Sequence, residues 1–172
     1  MKKTCLLFFI ILSLASVSCE KKQTPKKHIE SFNDYTLLIS TFYYDYNLQS
    51  GEFKIKGYNF SDTIALSKFQ KERIEIIFFK YDIYSLKGEK SVLPEKNVIM
   101  PDPRNEIIIK VKDFQKSKLI ISDQYQLSEY NHIGNNIFKF NKELFEILNK
   151  NNHYKNCMDT LKIVQKKLPP TL

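Results

Sequence analysis

Between Leu37 and Leu48 the chain alternates. Leu38, Phe42, Tyr44, Tyr46 and Leu48 recur at period two within a stretch rich in aromatic and β-branched residues. A strand puts such a pattern on one face; a helix scatters it. Residues 37–48 therefore predict a strand. Gln49-Ser50-Gly51 supplies a turn, and Phe53 and Ile55 then alternate with Lys54 and Lys56, which predicts a return strand over 52–58. The period next becomes helical. Ser67, with Gln70 three residues on, fits a capping box, and Ile74, Ile77, Phe78 and Tyr81 follow. A helix over 68–82 is expected, with Ile76 and Phe79 widening its apolar surface so that it takes cover on more than one side. The competing reading is a strand from Ile74 to Phe79.

Residues 85–105, with Gly88, Pro94, Pro101 and Pro103, read as a long irregular connection. A second hairpin is expected from strands over 106–112 and 118–125, reversing at Gln115-Lys116-Ser117. Residues 131–136, around Gly134, read as a loop. Asn141 is a candidate cap for a helix to about Lys150. Cys157, Leu161, Val164 and Leu168 form one stripe of a last helix over 157–168, which Pro169-Pro170 stops. The expected fold class is α+β: a mainly antiparallel sheet built from two β-hairpins, in ββα-ββαα order, with helices packed on one face.

The start of the chain carries an address. Lys2 and Lys3 precede an apolar run from Cys5 to Ala15, interrupted only by Ser13, and Glu20-Lys21-Lys22 ends it. That run is far short of the roughly 20 apolar residues of a spanning helix and has the layout of a secretory signal. The segment resembles a bacterial lipoprotein signal. In that family a small residue precedes an invariant cysteine, which receives a diacylglyceryl group and becomes the new N-terminus. Ser18 and Cys19 match, whereas Ser16 stands where leucine is usual. Ser16-Val17-Ser18 also suits an ordinary signal peptidase, which would release a soluble protein. The resemblance covers about the first 20 residues and implies lipidation at Cys19. Glu20, in place of the aspartate that favours inner-membrane retention in enteric lipoproteins, points to the outer membrane. The expected domains are a signal peptide over 1–18, a flexible lysine-rich tether over 19–32 and one α+β domain over 33–172.

Cleavage would leave 154 residues, enough for one domain with a sizeable core. Cys157 would then have no disulfide partner, so the fold must rest on its core, for which 13 Phe and 10 Tyr are suited. The formal charge of +8 falls to +6 without Lys2 and Lys3, and only Arg73 and Arg104 are arginines. So few guanidinium forks, together with export, argue against nucleic acid. The lysines suit a solvated face, or attraction to anionic lipid or an envelope glycan.

The familiar chemical motifs are missing. Only four glycines occur and none are clustered, so there is no phosphate-binding loop, and no GxSxG, HExxH or CxxC appears. No catalytic set, metal site or cofactor is expected. His132, with Asp123 and Glu129, reads as an ordinary polar loop. His153 and Cys157 are spaced i, i+4, which puts two side chains on one helix face, but Cys157 belongs to the apolar stripe and is expected as a buried thiol. Two features remain as candidate binding elements. Pro101-Asp102-Pro103-Arg104 is a stiffened loop presenting Asp102 and Arg104. Tyr43, Tyr44 and Tyr46 put rings on both faces of the first strand, one of which suits a glycan or protein partner. The sequence thus points to a membrane-anchored envelope lipoprotein with a non-enzymatic binding, accessory or immunity-type role. The alternative is a periplasmic or surface hydrolase whose carboxylates come from separate loops.

Overall fold

A computed structural model of the chain describes residues 31–94 and 104–166. The alternation that opens the sequence does not make one strand. It makes two, β1 (Tyr35–Ser40) and β2 (Tyr44–Asn47), paired antiparallel with Ser40 opposite Asp45. The reversal falls at Thr41–Tyr43 and uses neither glycine nor proline. Thr41 Oγ1 accepts from the backbone N–H groups of Tyr43 at 3.1 Å and Tyr44 at 3.0 Å, and Thr41 N–H donates to Tyr44 O at 2.9 Å. A threonine hydroxyl thus does what turn residues usually do. The buried set changes phase across this turn, from odd positions in β1 (Tyr35, Leu37, Ile39) to even ones in β2 (Tyr44, Tyr46).

The next reversal lies where expected. Asn47 Oδ1 accepts from Gln49 N–H and Ser50 N–H, and Gly51 takes φ +79°. A Cβ at Gly51 would sit 2.6 Å from Ile64 O, so no other residue fits there. β3 (Glu52–Ile55) is shorter than the 52–58 expected, because the chain turns through Gly57 into β4 (Phe60–Thr63), a strand the pattern did not announce. α1 (Lys68–Lys80) carries the full capping box of Ser67 and Gln70. It buries Ile74, Ile77 and Phe78, but Ile76 is exposed, so its cover is narrower than expected.

β5 (Gly88–Val92) lies inside the stretch read as irregular. It adds parallel to β7 (Phe114–Ser122) at the sheet edge, Gly88 opposite Ser117. β6 (Arg104–Val111) and β7 form an antiparallel hairpin, reversing at Lys112-Asp113 with φ of 48° and 68° rather than at Gln115–Ser117. Both turn residues are left-handed, as the tightest hairpin loops require. Described residues thus form one sheet in the order β4-β3-β2-β1-β6-β7-β5, antiparallel but for the last pair.

The expected loop at 131–136 is instead the start of α2 (His132–Leu148). Asn131 Oδ1 accepts from Gly134 N–H at 2.8 Å, and a Cβ on Gly134 would meet the Asn131 side chain at 2.9 Å. The glycine makes room for the cap. Asn141 is therefore mid-helix and buried, not a cap. α3 (Asn152–Gln165) begins earlier than expected because Asn151 caps it, accepting from Tyr154 N–H at 3.0 Å. The Asn151 amide also donates to Ala65 O and Gln70 Oε1, which ties the start of α3 to the start of α1.

The molecule is α+β, with a mostly antiparallel sheet and three α-helices among the described residues; their order is ββββαβββαα rather than the expected ββα-ββαα of two hairpins, because β1 and β2 divide one expected strand and β4 and β5 add to the sheet. One sheet face, carrying Leu37, Ile39, Tyr46, Phe53, Ile107 and Leu119, packs with residues of all three helices into one core. The described residues belong to a compact unit beginning at Ser31. No helix among them is long and apolar enough to cross a membrane. Cys19 and Asp102 lie outside the described residues, as do the signal segment, most of the tether, and Leu168 with the Pro169-Pro170 stop.

Candidate functional site: a cleft at one end of the sheet

At the end of the sheet where β1 stops, β2 and β6 start and β7 stops, the strands part from the α2–α3 pair. A cleft of about 670 Å3 opens there. Its helical walls follow from helical spacing. Phe138, Asn141, Lys142, Phe145 and Glu146 lie along one face of α2, and Tyr154, Met158, Leu161 and Lys162 along one face of α3. From the sheet end come Tyr43, Tyr44, Arg104, Asn105 and Asp123.

Three sequence candidates therefore meet: Tyr43, Tyr44 and Arg104. They hold different places. Tyr43 stands at the rim, 42% exposed, its ring edge-to-face with Phe42, which is 69% exposed. The Thr41 turn pushes this aromatic pair out of the sheet. Tyr44 is buried in the floor, where its hydroxyl lies 2.9 Å from that of Tyr154. Tyr46 does not join them. It is fully buried, its hydroxyl donates to Ile64 O at 3.4 Å, and it is core rather than binding surface. Arg104 begins β6 and is exposed at the cleft wall.

Burial pushes the Tyr44 hydroxyl up to about 12; the hydrogen bond with Tyr154 acts against this and the charge of Asp123 adds to it. Tyr154 and Tyr46 are driven higher still, burial again being the main cause. The phenols stay neutral at physiological pH and act as hydrogen-bonding groups, not as bases. Beside them stands a residue whose role the sequence did not disclose. Asn141 is only 5% exposed, and its Oδ1 has no hydrogen-bond partner among the described residues. A buried amide oxygen left unpaired costs about 1–3 kcal/mol, and this one belongs to a residue lining the cleft. The i, i+3, i+4, i+7 series from Phe138 to Phe145 was visible in the sequence, but not which face it would turn to.

A second polar constellation joins β4 to α3. Asp62, His153 and Cys157 place one ligand atom each within 4.8 Å of one another. His153 Nε2 is 2.9 Å from Asp62 Oδ2, and Cys157 Sγ is 3.7 Å from the same oxygen. The His153 hydrogen bond is the main influence holding the Asp62 carboxyl below the usual carboxylate range. Burial, then the Asp62 charge, push the Cys157 thiol up to about 11. Cys157 is buried, as its stripe predicts, but it is not surrounded only by apolar groups. His132 is exposed and takes no part in this group.

Compared with protein-family models, with curated proteins and with solved structures, the chain matches none.

Proposed function

We propose that the protein is an envelope lipoprotein, anchored by a lipid on Cys19, whose folded domain binds a segment of a partner protein in the cleft. The address rests on Ser18-Cys19 after the apolar run. The binding role rests on one observation: a cleft of about 670 Å3 whose rim carries an exposed aromatic pair, Phe42 and Tyr43, and whose walls carry charged side chains. A peptide suits this lining, since it brings apolar side chains to the rings and polar backbone groups and charges to the walls. Arg104, Lys142, Asp123 and Glu146 give the walls charges of both signs, which favours register and selectivity over raw affinity. The exposed aromatic pair suits an interface.

The test places a photo-cross-linking side chain at position 43 of the full chain in its own envelope. A second protein carries it at Phe114, which is exposed in the β6–β7 hairpin. A discrete product from position 43, absent from position 114 and reduced at least about tenfold by Phe42→Ala, supports the reading. Equal products from both positions overturn it. Asp123 and Glu146 share the cleft, so the hydrolase alternative would appear as cleavage of the captured chain that Glu146→Gln stops. Labelling with a fatty-acid analogue tests the anchor: wild type should be marked and Cys19→Ser should not.

A further inference from the structure

We propose that Asp62, His153 and Cys157 form a binding site for a zinc-class divalent cation, joining the edge strand β4 to α3. The donor set is one carboxylate, one imidazole and one thiol, brought together from two elements that the sequence keeps about 90 positions apart. A thiolate and an imidazole select zinc-like ions over magnesium and calcium, which prefer all-oxygen shells. Three protein ligands with a fourth position open is the pattern of accessible zinc sites.

The distances fit such an ion. Tetrahedral zinc with ordinary bond lengths holds its ligand atoms about 3.3–3.7 Å apart. The Cys157 Sγ to Asp62 Oδ2 separation is already 3.7 Å. The Asp62–His153 pair, at 2.9 Å, must open slightly, and the His153 side chain, 45% exposed, is free to swing. The carboxylate is already aimed. Thr63 N–H donates to Asp62 Oδ1 at 2.7 Å and leaves Oδ2 for the shared centre. That is the supporting hydrogen bond metal-bound carboxylates commonly have. Access comes from the Asp62 and His153 side chains, both partly exposed to solvent, while the thiol lies behind them. The same geometry opposes a thiol nucleophile. The neighbour within hydrogen-bond distance of Cys157 is an anion, Asp62, which disfavours the thiolate, and the sulfur is buried. A cation reverses that balance. On binding, the S–H bond breaks, a sulfur–metal bond forms and the proton leaves to solvent.

The experiment uses the full chain in detergent, with Co2+ as the spectroscopic probe and Zn2+ in competition with a chromogenic chelator. Wild type should show thiolate-to-cobalt charge transfer and tetrahedral visible bands, displaced by Zn2+ and not by Mg2+. Cys157→Ser should abolish the charge transfer. His153→Gln and Asp62→Asn should each weaken Zn2+ at least about tenfold. His153 is exposed, so its variant tests the site even if Cys157→Ser fails to fold. Zn2+ should also raise the melting temperature of wild type but not of His153→Gln. Absence of a charge-transfer band, a band that survives Cys157→Ser, or Zn2+ affinity indifferent to His153→Gln overturns the site.

Discussion

The two faces of the sheet solve the same problem in opposite ways. On the helix-covered face, polarity is confined to a few hydroxyls and amides held among rings. Phe53 stacks on Tyr44 at 4.9 Å and meets Tyr154 edge-on at 6.4 Å, while the Tyr44 and Tyr154 hydroxyls satisfy each other. On the open face, charge is plentiful and paired. Lys56 reaches Asp45 at 3.1 Å and Ser40 Oγ at 2.9 Å, and Lys118 reaches Glu106 at 3.0 Å. The covered face gains stability from area removed from water. Pairs on the open face are half-solvated and contribute little. The difference shows why so lysine-rich a chain keeps a two-layer fold. Its charges sit where water shares the work, and tyrosine does the polar bonding inside.

Truncating the covered face should have the largest effect. Phe53→Ala is expected to cost about 3–5 kcal/mol, since a fully buried ring between tyrosines leaves a cavity. A denaturant midpoint shift under 1 kcal/mol, on the order of a surface change, would break the comparison. Next comes Tyr154→Phe, at about 1–3 kcal/mol, because the Tyr44 hydroxyl loses its partner in a buried site. Tyr44→Phe with Tyr154→Phe should cost less than the sum of the single changes, and a double-mutant cycle measures the coupling. Strict additivity would mean that water already serves the cleft floor.

A smaller effect is expected at the α1–α2 seam. The Tyr81 hydroxyl donates to Glu143, and this bond, with Lys80 beside it, holds the Glu143 carboxyl below its ordinary value of 4.5. A folded value below the unfolded one means that stability from this group is complete above about 4.5 and is lost as pH falls through the lowered folded value. Glu143→Gln should flatten that part of the acid limb in denaturant titrations taken from neutral pH downward. An unchanged limb would show that Glu143 titrates alike in both states. The smallest effect belongs to the open face, where Lys118→Met should change stability by about 0.5 kcal/mol or less. Salt should affect the wild type and variant differently by no more than that. A loss above 2 kcal/mol, on the order of a core change, would erase the distinction between the faces.

Local rules were legible where the residues enforcing them are neighbours in sequence. Ser67 and Gln70 cap α1 because both partners lie within one turn. Cys157, Leu161 and Val164 are buried as their spacing indicates. Two of the misreadings share a cause: a side chain used for an unexpected local purpose. Thr41 turns the chain with its hydroxyl and so divides one alternating run into β1 and β2. Gly134, which resembled a loop marker, clears space for the Asn131 cap and lengthens α2 by nearly three turns, which in turn moves Asn141 from a cap to the cleft. Of the binding candidates, Tyr43 and Arg104 could be found by looking for exposed aromatic and cationic residues near turns. Asn141 could not, because nothing in sequence says that a mid-helix amide is buried at the wall of a cleft.

By itself the sequence determined the α+β class with its mainly antiparallel sheet, the capped start of α1, the stripe of α3 and the composition of the core. Each depends on periodicity or on contacts within a few residues. Tertiary structure alone decided that β5 joins the sheet edge parallel to β7, that Tyr44 and Tyr154 share a hydrogen bond across 110 positions, and that Asp62 meets His153 and Cys157 across more than 90. Those meetings depend on how the helices settle on the sheet. Burial of area drives that docking without regard to direction, and only once it is complete does it fix which polar atoms face each other.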